Sequence, residues 1–259
     1  MSGVKRWEDL SAPAFRALSG PVVAVLPLGA TEQHGPHLAV SVDSVLVDAV
    51  IERTAPLVGS ELTVLVLPTL RVTKSGEHDR HPGTLSLTGE TLMAVLRDIA
   101  ASVSRAGVVR LCLFNGHGGN TALLEQAIRD MRIAQKLIAV HCSWFSFAET
   151  DGMYDPAALA FDIHGGDSET SPMLAAAPRK VDMSKARHFR ASMREWPEHW
   201  IGLTGQAARP GWIIDDLNED GACGDAASAT VEKGEALLSS AARNFAAFLA
   251  EFAVFDHRS

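Results

Sequence analysis

Cysteine is scarce in this 259-residue chain: Cys112, Cys142 and Cys223 lie far apart and form no C-x-x-C pair. That spacing reads as reduced cytoplasmic thiols, and Cys112 and Cys142, set inside apolar runs, read as packing residues. Long basic runs are absent and the formal charge is −8, which argues against a nucleic-acid or membrane-surface partner. No stretch approaches the apolar length expected of a membrane span. The opening "MSGVKRWEDL" is charged and amphipathic, with no apolar core and small-residue cleavage site behind it, so no signal peptide is expected. Repeats, low-complexity tracts and linkers are also missing. What remains is ordinary globular composition, 47% hydrophobic and 21% charged, expected to form one α/β domain over 1–259 that acts on a small molecule.

Four apolar, β-branched runs read as parallel strands: Val22 to Leu28, Glu61 to Leu70, Gly107 to Asn115 and Lys136 to Phe145. Helical spacing fills the intervals at Asp43 to Leu57, Gly89 to Arg105 and Asn120 to Ala134, and a last long helix is expected over Thr230 to Phe252. Alternating strands and helices imply right-handed crossovers and a sheet covered on both faces. Between 146 and 162, and again between 187 and 224, periodicity fades and Gly, Pro and Trp gather, as in loops or small hairpins that cover a site.

Polar residues collect in four short segments. "TEQHGPH" (Thr31 to His37) follows the first strand and cannot be helical through Pro36; Asp43 comes soon after it. "NGHGGN" (Asn115 to Asn120) sits between a strand and a helix, and "GEHDRHPGTLSL" (Gly76 to Leu87) and "DIHGGDSETS" (Asp162 to Ser171) complete the set. In an open α/β sheet such segments meet at one sheet edge. Imidazoles and carboxylates together suit Zn, Mn or Fe, and Asp43, with two oxygens, is placed to bridge two ions.

Each residue also has a plainer role. His34 or His37 alone is an ordinary hydrogen-bonded loop residue, Asp43 alone is a helix N-cap, and "NGHGGN" alone is a glycine turn whose amides face a phosphate. The joint occurrence of four segments in one chain favours a metal site.

In combination and order, "LPLGATEQHGPHLAVSVD", "EHDRHPGTLSL", "FNGHGGN", "DIHGGDSETS" and "GACGDAASATVEKG" make the chain resemble the creatininase (creatinine amidohydrolase) family along nearly its whole length. The resemblance implies a single-domain three-layer α/β/α sandwich with a mainly parallel sheet, two divalent metal ions per chain, and a homo-oligomer, commonly a hexamer. It places Glu32, Asp43 and His117 on one ion and His34, Asp43 and Glu169 on the other, with His164 at the substrate and no ligand role for His37. It also implies a member other than creatininase itself. Gly118 and Gly119 stand where creatininase has Tyr and a metal-binding Glu, and Ala160 replaces a tryptophan. Trp144, Trp196, Trp200 and Trp212 are candidates to wall a different pocket.

The expected chemistry is hydrolysis of a small cyclic amide or formamide-type C–N bond by metal-activated water. His164 would orient the substrate or protonate the leaving group, Glu77 and His78 are further proton carriers, and the Gly118–Gly119 amides would face the oxyanion. The alternatives are C–C hydrolysis opening an oxidised inositol ring, a nonenzymatic metal- or nucleotide-binding module, and a structural subunit.

Overall fold

A computed structural model describes residues 3–196, 200–203 and 206–257. Its strands form where apolar residues alternate between two buried faces. β1 (Gly3–Arg6), β2 (Val22–Leu28), β3 (Thr63–Val66), β4 (Arg110–Asn115) and β5 (Ile138–Ser143) make one parallel sheet in the order β1-β3-β2-β4-β5. β1 lies in the stretch read only as an amphipathic start. It pairs residue for residue with Thr63–Val66. β2 meets β3 only through Val25. Pro27, which has no N–H, therefore falls past that ladder and opposite Phe114 of β4.

Helices cover both faces. In chain order they are α1 (Ala12–Arg16), α2 (Val42–Thr54), α3 (Gly89–Arg105), α4 (Thr121–Gln135), α5 (Pro156–Leu159), α6 (Asp167–Ala176), α7 (Ile214–Leu217) and α8 (Val231–Val254). Val23, Val25, Val64, Val66, Cys112 and Phe114 pack beneath α2, α6 and α8. Ala24, Leu26, Leu28, Leu65, Leu111 and Leu113 pack against Leu92, Leu96, Ala100 and Val103 of α3 and Leu124, Ala127 and Met131 of α4. Each fully buried Leu or Phe contributes roughly 1.5–3 kcal/mol relative to exposure. The result is the three-layer α/β/α sandwich expected from the sequence.

The buried set on α3 recurs at helical spacing, and its start is capped by Thr88, whose Oγ1 accepts from Thr91 N at 3.1 Å. The 187–224 insertion holds a small antiparallel pair, β6 (His188–Phe189) with β7 (Gly224–Asp225), and its own apolar cluster around Ala191, Ile214, Leu217 and Cys223. Part of the "REWPEHWIGL" loop, residues 197–199, lies outside the described residues.

One expectation needs correcting. α8, with 24 residues and a mean hydropathy of 1.2 in its most apolar window, is long and apolar enough to cross a membrane. The reason is packing: half of that window is buried, with Leu238, Ala241, Phe245, Leu249 and Phe252 in the core shared with α2 and α6. Its apolarity serves that core.

Candidate metal centre and active site

From β2 the chain crosses through α2 to β3 on one side, and from β3 it returns through α3 to β4 on the other. The two helices lie on opposite faces, so the direction of winding reverses between β2 and β4. The carboxyl ends of strands at such a switch point leave a crevice. Glu32 follows β2 and His117 follows β4 at this crevice, and Asp43 enters from the first turn of α2. Gly116 makes the approach possible, because a Cβ there would stand 2.6 Å from the Asp43 carbonyl oxygen.

The side chains converge tightly. Glu32 Oε1 lies 3.1 Å from His117 Nδ1, 3.9 Å from His34 Nε2 and 3.7 Å from both His164 Nδ1 and His78 Nε2. Asp43 spans the cluster, with Oδ1 3.4 Å from His34 Nε2 and Oδ2 3.7 Å from His117 Nδ1. Glu169, from the first turn of α6, brings Oε2 to 3.7 Å from His34 Nε2. In three groupings the ligand atoms lie within 4.8 Å of one another, close enough to be candidates for holding an ion: Glu32, Asp43 and His117; His34, Asp43 and Glu169; Glu32, His34 and His164. Asp43 does not act as an N-cap, since Ser41 holds that position and no side chain caps α2.

Partners behind the imidazoles fix their orientation. His34 Nδ1 donates to the Glu32 carbonyl at 3.0 Å and His117 Nε2 to the Lys74 carbonyl at 2.9 Å, which turns the opposite nitrogen of each ring inward. Glu32 Oε2 accepts from Ser75 Oγ at 2.5 Å. The inward atoms Glu32 Oε1, His34 Nε2 and Asp43 Oδ2 are buried without a partner in hydrogen-bond geometry. Orphaned polar atoms at this depth are costly unless something pairs them. Two imidazoles and three carboxylates around such atoms fit a divalent transition metal.

Electrostatics agree. Burial alone would raise Glu32, yet His117, His164 and His34 outweigh it and hold the carboxyl well below its ordinary value. Burial opposes a charge on His34, but Asp43, Glu169 and Glu32 lift it to about 10. His117 is likewise driven well above its ordinary value, against its burial, by Glu32, Glu77 and Asp43. Burial and the neighbouring Glu32 push Asp43 up to about 7. The cluster thus favours the charged forms of His34 and His117 as counter-charge to its carboxylates, the role that a cation fills.

Beside the cluster opens a cavity of about 420 Å³ lined by Lys74, Glu77, Gly118, Gly119, Arg209 and Trp212, among others. Glu77 forms an ion pair with Lys74, and its Oε1 is 3.4 Å from His117 Nε2. Burial would raise Glu77, but its contacts with His117 and Lys74 hold it down at about 2.

The structure brings Glu32, His34, Asp43, His117 and Glu169 together and sets Glu77, Gly118 and Gly119 on the cavity. His164 lies within the cluster instead, stacked between His34 and His78 at ring separations of 4.1 and 4.2 Å, with Nε2 donating to the Gln33 carbonyl at 2.7 Å. Burial, followed by the neighbouring His34, lowers His164 to about 4, and burial with His164 lowers His78 to about 3. His37 stands apart, bonded to Thr170 Oγ1 at 3.0 Å and stacked on Phe189. Of the tryptophans, Trp212 walls the cavity, Trp196 packs in the insertion's cluster, Trp144 is buried in the core and Trp200 is 75% exposed.

Gln33 is the organising residue that sequence reasoning missed. Its Nε2 bonds His78 Nδ1 at 2.9 Å and the Gly221 carbonyl at 2.8 Å, and its Oε1 accepts from Gly35 N at 2.8 Å. Its position between Glu32 and His34 was the available signal.

Comparison with known proteins agrees with the fold. The family model for creatininase (creatinine amidohydrolase) matches residues 8–249. Creatinine amidohydrolase of Pseudomonas putida is 33% identical over 252 residues, covering 91% of this chain and 90% of that protein. The mycofactocin precursor peptide peptidase of Mycobacterium tuberculosis H37Rv is 31% identical over 220 residues, 83% and 79% of the two chains. Among solved structures, a putative creatinine amidohydrolase from Bacteroides fragilis superposes over 100% of both chains with TM-score 0.82 at 24% identity, a likeness of fold alone. The chain belongs to the creatininase family of hydrolases.

Proposed function

We propose that the chain is a metal-dependent hydrolase that cleaves a C–N bond in a small cyclic amide or formamide. The observation that carries this is the convergence of Glu32 Oε1, His34 Nε2 and Asp43 Oδ2, three buried and unpartnered atoms, beside a cavity. Glu32, Asp43 and His117 would hold one divalent ion, and His34, Asp43 and Glu169 a second. When bound, such ions lower the pKa of coordinated water and polarise a substrate carbonyl.

The protein's own groups supply the rest. Gly118 faces open space in the cavity, so a planar amide can approach closely, with the amides of the Gly118–Gly119 turn facing the developing oxyanion. Glu77, held ionised by His117 and Lys74 at the edge of the same cavity, keeps the Nε2 proton of His117 in place and so orients that ring. His164 and His78 are neutral near pH 7, and Gln33 fixes both rings. Of the two, His164 has its Nε2 proton engaged by the Gln33 carbonyl, which suits it to orienting the substrate.

The test is ion content per chain together with turnover on lactams, N-formyl compounds, dehydro-inososes and a short peptide. Zn, Mn or Fe near two per chain with turnover of the lactams or formamides supports the proposal. Turnover of the peptide alone would favour the activity of the mycobacterial relative. The proposal extends to a cytoplasmic homohexamer, which light scattering would report as six times the 27.6 kDa chain mass.

A further inference from the structure

Gly119 and Glu77 come from different loops, the first after β4 and the second between β3 and α3, yet they claim the same space. A Cβ built on Gly119 would fall on Glu77 Oε1 and His117 Nε2, closer than non-bonded atoms approach. The Glu77 side chain is only 8% exposed, and Lys74 anchors its other oxygen. It is not a mobile surface group that can swing aside without cost. On the other flank, the Lys74 carbonyl and Glu77 Oε1 both face His117 Nε2.

We infer that the Glu77 carboxylate and a side chain at 119 are alternative occupants of one position, and that Glu77 supplies from the β3–α3 loop the acidic group beside His117 that Gly119 lacks. Any side chain at 119 evicts Glu77 and also crowds His117 Nε2. With Glu77 in place, position 119 must be glycine. Glu77 then acts on the ion through His117, as a positioning residue: it and the Lys74 carbonyl hold the Nε2 proton, which keeps Nδ1 free to face Glu32 and Asp43. Carboxylates behind a ligating imidazole fix its tautomer and raise its basicity in this way. This deepens the metal-hydrolase proposal and rests on it for the ion, whereas the shared space stands on geometry alone.

Four variants of the full chain test it: Glu77→Gly, Gly119→Ala, Glu77→Gly with Gly119→Ala, and Glu77→Gly with Gly119→Glu. Divalent affinity is read by chelator competition with Zn²⁺, ligand geometry by the visible spectrum of the Co²⁺-loaded protein, and folding by Tm. Glu77→Gly is expected to weaken Zn²⁺ by about 10–100-fold and to change the Co²⁺ spectrum. Gly119→Ala should do the same alone and add clearly less in the Glu77→Gly background, where only its contact with His117 Nε2 remains. Glu77→Gly with Gly119→Glu should recover most of the lost affinity. Equal effects of Gly119→Ala in both backgrounds would overturn the inference, as would a folded Glu77→Gly, Gly119→Glu protein that binds no tighter than Glu77→Gly. If that variant does not fold, the Gly119→Ala pair decides. If the parent protein binds none of Zn²⁺, Mn²⁺ and Fe²⁺, the metal-hydrolase proposal fails by itself, and non-additive Tm changes in the Gly119→Ala pair still report the shared space.

Discussion

His34 Nε2 lies 3.4 Å from Asp43 Oδ1, with His34 1% exposed and Asp43 2% exposed. One comes from the loop after β2 and the other from the first turn of α2. The other Asp43 oxygen faces His117, which makes Asp43 the member shared by the grouping with Glu32 and His117 and the grouping with His34 and Glu169. Replacing it removes a donor from both at once.

Asp43→Asn is therefore expected to weaken divalent binding sharply at both of these groupings, while leaving a side chain of nearly the same volume. An ion at 100 times its Kd stabilises a fold by about 2.7 kcal/mol. At about 2–4 °C per kcal/mol, saturating Zn²⁺ should raise the parent Tm by roughly 5–10 °C. Thermal denaturation of Asp43→Asn with and without Zn²⁺ should show no such rise. An equal rise in both proteins would remove Asp43 from the site.

Metal affinity should climb with pH. His34 keeps its proton in the ion-free protein up to about pH 10, and a cation taking Nε2 must displace it. Affinity then gains about tenfold per pH unit for each proton displaced. Near and below pH 7 the raised Asp43 adds a second competing proton. The stability of the ion-free protein runs the opposite way. Because the folded value for His34 exceeds its ordinary 6.5, its contribution is full below pH 6.5 and lost as pH rises through about 10. Calorimetric Zn²⁺ titrations in two buffers of different ionisation enthalpy would reveal the released proton. A heat independent of buffer would contradict the assignment.

How much of this was legible in the sequence follows from where the information lies. β2, β4 and β5 are continuous apolar runs, and α3 and α4 carry long helical periodicities, so local pattern suffices for each. The four polar segments were visible because each crowds imidazoles and carboxylates into a few residues. β1 was hidden because Gly3–Arg6 gains its strand character from Thr63–Val66 beside it. α6 was masked by Pro172 within it and by the glycines before it. Gln33 bonds residues 45 and 188 positions away, and the collision between Gly119 and Glu77 joins separate loops. Contacts of that range have no local signature.

Packing distant from the crevice should also reach it. Gly234 of α8 lies where α6 comes nearest, and a Cβ there would collide with the Ser171 carbonyl and approach Pro172 Cα at 2.9 Å. Gly234→Ala must push α6 outward at a cost of about 1–3 kcal/mol. Glu169 stands on the first turn of that helix, 3.7 Å from His34 Nε2. The variant should therefore lose both Tm and Zn²⁺ affinity, whereas Glu232→Ala, on the exposed start of the same helix, should lose neither. Retained affinity alongside a lowered Tm would show that α6 yields without moving Glu169.

Arg209 is the last group to consider, because it lines the cavity beside Trp212 and forms no ion pair among the described residues. Lys74, the other cation there, is already engaged by Glu77. An exposed guanidinium with no ion pair among the described residues contributes little to folding, so Arg209→Ala should keep the parent Tm and ion content. Its effect should fall on substrates with an anionic end, since a hydrogen bond to a charged group is worth about 1.5–3 kcal/mol. KM for N-formylglycine should rise about tenfold or more, while KM for N-formylglycinamide stays unchanged. Equal changes for both compounds would place Arg209 in general cavity structure, and no change for either would place the substrate's charge elsewhere.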